Sequence, residues 1–256
     1  MSEHPDWLIP DWSAAGIGAL MTTRRGGVSA APFDSMNLQQ GGGDEADAVA
    51  RNRALLAEAT GATSIFLRQM HATGVVRLTR ADAAPGAAVH AADASVTTDP
   101  GLACAILVAD CLPVLFAAPD RRGVAAAHAG WRGLAGGVLE ATVAALCTAA
   151  GCAPRDLQAW LGASIGQAHF QVGADVLEAF GVDPGGAAAP AFVPEQPGKW
   201  LADLPQLARD RLAALGVGAV RGGGWCTVSE SSRFFSFRRE RVTGRMAAAV
   251  WIEAAR

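Results

Sequence analysis

Two imidazoles and a thiol are the groups in this chain best placed to act together. His71, Cys111 and His128 each stand where an apolar, strand-like segment gives way to a loop, and strand ends are where a rigid scaffold presents reactive groups. Nitrogen and sulfur donors suit zinc or copper better than hard cations. Three protein ligands leave a fourth position open, as catalytic zinc requires. The three residues are spaced too widely for a finger or a ribbon. Spacing alone therefore leaves a second reading open, a buried structural cysteine with two hydrogen-bonded histidines. Two local features favour chemistry. Asp110 precedes Cys111 on a very apolar segment, where a carboxylate needs a partner. It can orient a histidine or protonate a leaving group, or it can pair with backbone or arginine. Beyond His128 the chain reads AHAGWRG (127–133). Glycines, Arg132 and a helix start in that order point to an anion site; the alternative for Arg132 is a surface salt bridge. Trp131 either stacks on a base or roofs the metal.

The elements that must carry these groups follow from periodicity and punctuation. Residues 17–23 read as a strand running into a TRRGG loop, and 26–43 as a long Gly-, Ser- and Asn-rich loop, of the length that tends to be functional. Asp44 is the expected N-cap of a helix reaching about Ala59. Strands are expected at 64–70, 75–79, 94–97, 103–109, 114–117 and 124–127, separated by Gly, Pro and Asp. A helix at 134–150 follows, then a strand at 157–161, helices at 174–180 and 204–215, and a final strand at 246–252. The stretch 184–197 reads as a surface loop. Strands in succession followed by mixed helices indicate one α+β domain with layered architecture, over residues 1–256.

Composition narrows the function classes. About half of the 256 residues are apolar (51%) and 18% are charged, which supports a packed core and argues against disorder. A net charge of -3 gives no basic surface for nucleic acid or anionic lipid. The sequence has no tyrosine and Lys199 is its only lysine. Its five cysteines form no C-x-x-C pair, and the opening MSEHPDWLIPDW has neither a basic nor an apolar leader region. A reducing, cytoplasmic location is expected. Cysteines 104, 147, 152 and 226 read as core residues. The run 101–118 is broken by Asp110 and Pro113 and reads as two buried strands, with no membrane association expected.

The motifs TRRGGVS (23–29), DSMNL (34–38), NR (52–53), RQMH (68–71), ADAS (92–95), ADCLPVLF (109–116), AAAHAGWRG (125–133), LGASIG (161–166), FQVG (170–173) and FFSFRRE (234–240) span nearly the whole chain in order. With them the chain resembles the YfiH/laccase-domain family, also called the multicopper polyphenol oxidoreductase or peptidoglycan-editing-factor family. The resemblance implies a single-domain, layered α/β/β/α sandwich with mixed sheets. It implies a zinc site, with copper as the other candidate, made by His71, Cys111 and His128. It implies a purine nucleoside phosphorylase acting on adenosine, inosine, guanosine and methylthioadenosine, with adenosine deaminase activity. Catalytic roles then fall to Cys111, His128, His71 and Asp110. Arg24, Asn37, Arg53 and Arg132 are the expected contacts for phosphate, ribose or base. The expected partners are purine nucleosides and phosphate, with no nucleic acid, for a monomer or small homo-oligomer. Two positions depart from the family pattern, Ala72 in place of glycine and Arg68 in place of a neutral or acidic residue. Neither removes a ligand.

Other readings keep the same residues. Cys111 as a free nucleophile with a histidine base gives an amidase or hydrolase, which is compatible with editing of peptidoglycan precursors. The older family label implies copper-dependent oxidation of phenols, for which five histidines are few. A metal-storing or partner-binding domain is the non-enzymatic option.

Overall fold

The computed structural model describes residues 6–186 and 189–254. His4, read as a tail residue, lies outside them. In chain order the elements begin with β1 (Ile17–Met21), α1 (Ala46–Thr60), β2 (Thr63–Phe66), β3 (Val75–Leu78), β4 (Ala94–Thr97) and β5 (Leu102–Val108). The middle of the chain supplies β6 (Leu112–Ala117), β7 (Val124–Ala129), α2 (Trp131–Gly136), α3 (Val138–Ala150), β8 (Gln158–Leu161), β9 (Gln171–Val172) and α4 (Ala174–Ala179). Then come β10 (Phe192–Gln196), β11 (Lys199–Ala202), α5 (Leu204–Ala214), β12 (Ala219–Gly222), α6 (Phe237–Glu240) and β13 (Met246–Ile252).

Two mixed sheets form the centre, one ordered β1-β13-β5-β2 and the other β12-β8-β6-β7-β4-β3. Alternation along the strands assigns each face. Met246, Ala248 and Val250 of β13 join Cys104 and Ile106 of β5 in the core between the sheets, with Leu115 and Ala126 from the larger sheet. Trp251 and Ala247 point the other way and pack with Leu56 of α1. On the far side of the larger sheet, Val114, Phe116, Ala125 and Ala127 pack against Leu139, Val143 and Leu146 of α3 and Leu212 of α5. The result is the expected α/β/β/α sandwich, with a small third sheet ordered β10-β11-β9. Among the described residues no helix is long and apolar enough to cross a membrane.

Local departures from the sequence reading have physical causes. The helix expected at 134–150 begins earlier and breaks in two, because Gly137 adopts a left-handed conformation (φ 99°) between α2 and α3. Asp44 does not cap α1. Glu45 takes the N-cap position, and Asp44 instead accepts from the N–H of Glu45 and from Asn37 Nδ2. The stretch 184–197 is not all loop. Its described part contains β10, which pairs with β11 and buries Phe192; Ala, Gly and Pro around it hide the strand signal. Of the four cysteines read as core, only Cys104 is fully buried, and Cys147, Cys152 and Cys226 are half-buried.

Candidate metal centre

Pairing between β6 and β7 brings Cys111 and His128 together. Pro113 lies opposite His128 and Leu112 opposite Ala129. Cys111, one step before β6, therefore reaches the same face as His128, diagonally across the ladder. Alternation places His128 with Val124 and Ala126, which face the core between the sheets. His71 arrives from the loop between β2 and β3. The potential ligand atoms of His71, Cys111 and His128 lie within 4.8 Å of one another. Cys111 Sγ is 3.8 Å from His71 Nε2, and the two imidazole rings stand edge-on, 4.7 Å between centroids and 79° between planes.

Asp93, which sequence reasoning passed over, organises the cluster. It lies directly before β4, whose Ala94 pairs with Ala127, so Asp93 is the cross-strand neighbour of His128. Its Oδ1 is 2.8 Å from His128 Nδ1. It also accepts the backbone N–H groups of Met70, His71 and Ala72 at 3.0, 2.8 and 2.8 Å. Those three amides converge on one carboxylate because His71 holds a left-handed backbone (φ 59°), a conformation that costs a non-glycine residue about 1–2 kcal/mol. The completely buried carboxylate offsets that cost with charge-assisted bonds. Burial works to raise its pKa, but His128 and the amides of Ala72, Met70 and His71 together hold it below the ordinary value. With Nδ1 engaged by Asp93, Nε2 of His128 is the nitrogen left to face Cys111.

The charges of the cluster are coupled. Burial opposes ionisation of the Cys111 thiol, yet hydrogen bonding and charge from His128 and His71 lower it to about 6. Burial opposes protonation of His128, yet Asp93 and the Cys111 thiolate raise it to about 9. A thiolate is thus available as a metal donor at neutral pH.

The glycines of AHAGWRG make room for this arrangement. A Cβ on Gly130 would stand 3.0 Å from Cys111 Sγ, 3.2 Å from His71 Cδ2 and 3.6 Å from His128 Cε1. A Cβ on Gly133 would stand 2.8 Å from the Ala72 carbonyl. Two imidazoles oriented by a carboxylate, one thiolate, and a hollow that a side chain would fill match the donor set of a metal ion with an open position.

His71, Cys111 and His128 stand on the wall of a cleft of about 830 Å³, which Arg53, Arg68, Gln69, Phe237 and Arg245 also line. Of the expected substrate contacts, only Arg53 is among its lining residues. Its Nε donates to the Leu38 carbonyl at 3.0 Å, and its guanidinium lies 4.1 Å over the Phe66 ring. Arg24 is committed elsewhere. It pairs with Asp34 and Glu240 and donates to the Ser231 carbonyl. Asn37 is buried and engaged at both ends, donating to Asp44 and accepting from the N–H groups of Gln39 and Arg245. Arg132 is exposed, with its guanidinium 4.3 Å over the Trp131 ring. Trp131 packs against the helix-side core and lines no part of the cleft. Asp110 also has its carboxylate occupied. It accepts from Thr227 Oγ1 at 2.6 Å and from the Arg238 N–H at 2.7 Å, tying the segment before Cys111 to α6 of the FFSFRRE segment. A left-handed backbone at Asp110 (φ 94°) makes the turn that presents Cys111. Asn52, quoted only as part of NR, holds the 26–43 loop. It donates to Ser29 and to the carbonyls of Ser35 and Asn37 and accepts from Val28.

Known proteins resemble the chain along its whole length. The family model described as multi-copper polyphenol oxidoreductase laccase matches residues 18–253. A Pseudomonas aeruginosa protein named purine nucleoside phosphorylase is 50% identical over 251 residues, 96% of this chain and 98% of its own. An Escherichia coli protein named purine nucleoside phosphorylase YfiH is 46% identical over 248 residues, 96% of this chain and 98% of its own. A crystal structure of a Neisseria meningitidis protein of the family DUF152 superposes with a TM-score of 0.89 at 46% identity, covering 97% of this chain and all of that one (100%). The structure of YlmD from Geobacillus stearothermophilus superposes with a TM-score of 0.90 at 32% identity, covering 99% of this chain and 98% of that one.

Proposed function

The chain belongs to the multi-copper polyphenol oxidoreductase laccase family, the family of the YfiH proteins, and from that premise we propose that it is a purine nucleoside phosphorylase using zinc held by His71, Cys111 and His128. One observation carries the reading: a His–Cys–His cluster on the wall of a cleft of about 830 Å³, within the volume range of small-molecule sites. The names of relatives at 46–50% identity point the same way. A thiolate and two imidazoles with one position left over is a zinc donor set, and five histidines are too few for several copper ions.

Phosphorolysis moves a ribosyl group from a base nitrogen to a phosphate oxygen. The N9–C1′ bond breaks, a C1′–O bond forms, and the base leaves with a proton. Zinc, when bound, supplies a Lewis-acid charge that stabilises negative charge in the reaction. Asp93 fixes the tautomer and orientation of His128. Asp110 sets the turn that presents Cys111. Arg53 meets phosphate or ribose. Phe237, 45% exposed at the cleft, offers a ring face to a purine. Adenosine, inosine, guanosine and methylthioadenosine as substrates, and adenosine deamination, are what the resemblance to the family implies, and a cleft of about 830 Å³ has room for them.

The test is base release from inosine by metal-loaded protein. Hypoxanthine is expected to appear only with phosphate present and in step with ribose 1-phosphate. Cys111→Ala is expected to lower turnover by at least about 100-fold. Turnover that survives in metal-free Cys111→Ala protein sinks the proposal. One observation favours a second reading. The Cys111 thiol is lowered to about 6 beside His128, which suits a nucleophile in an amidase. Covalent trapping of Cys111 by a thiol reagent in metal-loaded protein supports that reading; protection of Cys111 by the metal supports the first.

A further inference from the structure

Arg245 enters none of the readings above, yet it is the arginine most firmly built into the cleft wall. It lies between Gly244 and the start of β13 and lines the cleft together with His71, Cys111, His128 and Arg53. Its backbone is clamped on both sides, its N–H donating to Asn37 Oδ1 at 2.8 Å and its carbonyl accepting from Leu38 N–H at 3.1 Å. Gly244 permits this approach, since a Cβ there would stand 2.7 Å from the Phe235 ring and 3.0 Å from Asn37 Cβ. The side chain is half-buried. Its Nη1 donates to the carbonyls of Thr243 and Gly244 at 3.0 and 3.1 Å, which fixes the plane of the guanidinium. Nε and Nη2 have no hydrogen-bond partner among the described residues. Burial lowers its pKa, and Cys111 and Asp110 oppose that change; Cys111 lines the same cleft.

Arg53 is built in the same way from the same loop. Its Nε and Nη1 are engaged by Leu38 and Gln40, and Nη2 is left over. Two arginines held by residues 37–40 thus carry spare donors in one cleft. Among the described residues the only carboxylate lining that cleft is Asp82, which is already bonded to His90, to Thr79 N–H and to Thr79 Oγ1. Arg68 also lines it but is exposed, and its guanidinium has no anchoring bond among the described residues.

We propose that Arg245 holds inorganic phosphate beside the metal centre, its Nε and Nη2 forming a fork to two phosphate oxygens while Arg53 binds the anion from its own side. A fixed guanidinium with two adjacent free N–H groups matches a tetrahedral oxyanion, and a ribose hydroxyl needs no such fork. Asn37 becomes a positioning residue, acting on the phosphate through Arg245 and the 37–40 loop. The assignment rests on the phosphorolysis reading and identifies its phosphate subsite.

The experiment compares metal-loaded wild type, Arg245→Gln and Arg245→Lys, with metal content measured for each. With inosine saturating, Arg245→Gln is expected to raise the KM for phosphate about 10- to 100-fold, the loss of charge-assisted hydrogen bonds. The KM for inosine stays within about twofold, and the metal is retained. Arg245→Lys keeps the charge and loses the fork, so its phosphate KM falls between the two. An unchanged phosphate KM, or a rise confined to inosine, overturns the proposal. Equilibrium binding of inorganic phosphate alone separates this idea from the reaction class. If wild type binds phosphate without turning over inosine, and Arg245→Gln does not bind it, the subsite stands and phosphorolysis fails. Equal binding by both proteins, or none by wild type, overturns the subsite. Where Arg245→Gln does not fold, Arg245→Lys decides by the same phosphate readouts.

Discussion

Asp93 is the residue on which the metal cluster turns. Its carboxylate binds one imidazole and the three amides that carry the other. Asp93→Asn leaves the volume unchanged, but one of its two side-chain atoms then donates where both now accept. Loss of such an outer partner typically weakens metal binding 10- to 100-fold, and that is the expected result of a chelator competition. An affinity within about twofold of wild type contradicts the role given to Asp93. A second prediction concerns pH. In metal-free protein Cys111 is lowered from 9.0 to about 6 and His128 is raised from 6.5 to about 9. The thiolate's contribution to stability is complete above the unfolded value of 9.0 and lost as pH falls through about 6. The imidazolium's contribution is complete below 6.5 and lost as pH rises through about 9. The ion pair therefore spans about 6 to 9. Alkylation of Cys111 by iodoacetamide in metal-free protein is expected to titrate near pH 6; a midpoint near 9 contradicts it. A thiol and two imidazoles at strand ends were legible in the sequence as candidate donors, and the structure brings them together. Asp93 was not, because its partners lie 21 to 35 residues away and meet it only through strand pairing. Asp110 caught the eye for its apolar surroundings, but its oxygens turn towards Thr227 and towards Arg238 of α6, more than a hundred residues later.

At the scale of elements, the site is the meeting of the β6–β7 ladder with two loops. Gly130 and Gly133 are what let them close. Gly130→Ala is expected to displace a thiolate or an imidazole, because the new methyl stands 3.0 Å from Cys111 Sγ. Metal content per chain should drop while the far-ultraviolet circular dichroism stays that of wild type. Full metal occupancy in that variant contradicts the packing described. Most strands were readable from alternation and Gly, Pro or Asp punctuation, and β4, β13 and the two later helices fall within a residue or two of expectation. The elements misread have different causes. Gly137 splits a helix that composition alone would run straight through. The strand expected at 64–70 stops at Phe66, because the amides of Met70 and His71 turn to Asp93. A short edge hairpin was lost in a Gly–Ala–Pro stretch that buries little besides Phe192.

For the whole molecule, the layered architecture holds the ligands in register. His128 and Cys111 belong to the larger sheet, and β5 of the smaller sheet leads directly into Asp110 and Cys111. His71 follows β2 of the smaller sheet, so slippage between the sheets would carry it away from His128. Phe116, completely buried on β6 against α3, lies on the other face of the larger sheet from His128 and Cys111. Phe116→Ala is expected to cost about 3–5 kcal/mol in urea unfolding, with metal affinity unchanged under native conditions; a loss of metal binding at unchanged stability contradicts the separation of core from site. The central claim is that two imidazoles and one thiolate hold a single metal ion. X-ray absorption on zinc-loaded protein tests it most directly. The account predicts one zinc per chain, with one sulfur at about 2.3 Å and at least two nitrogens at about 2.0 Å. Sub-stoichiometric zinc, or a shell without sulfur, contradicts it.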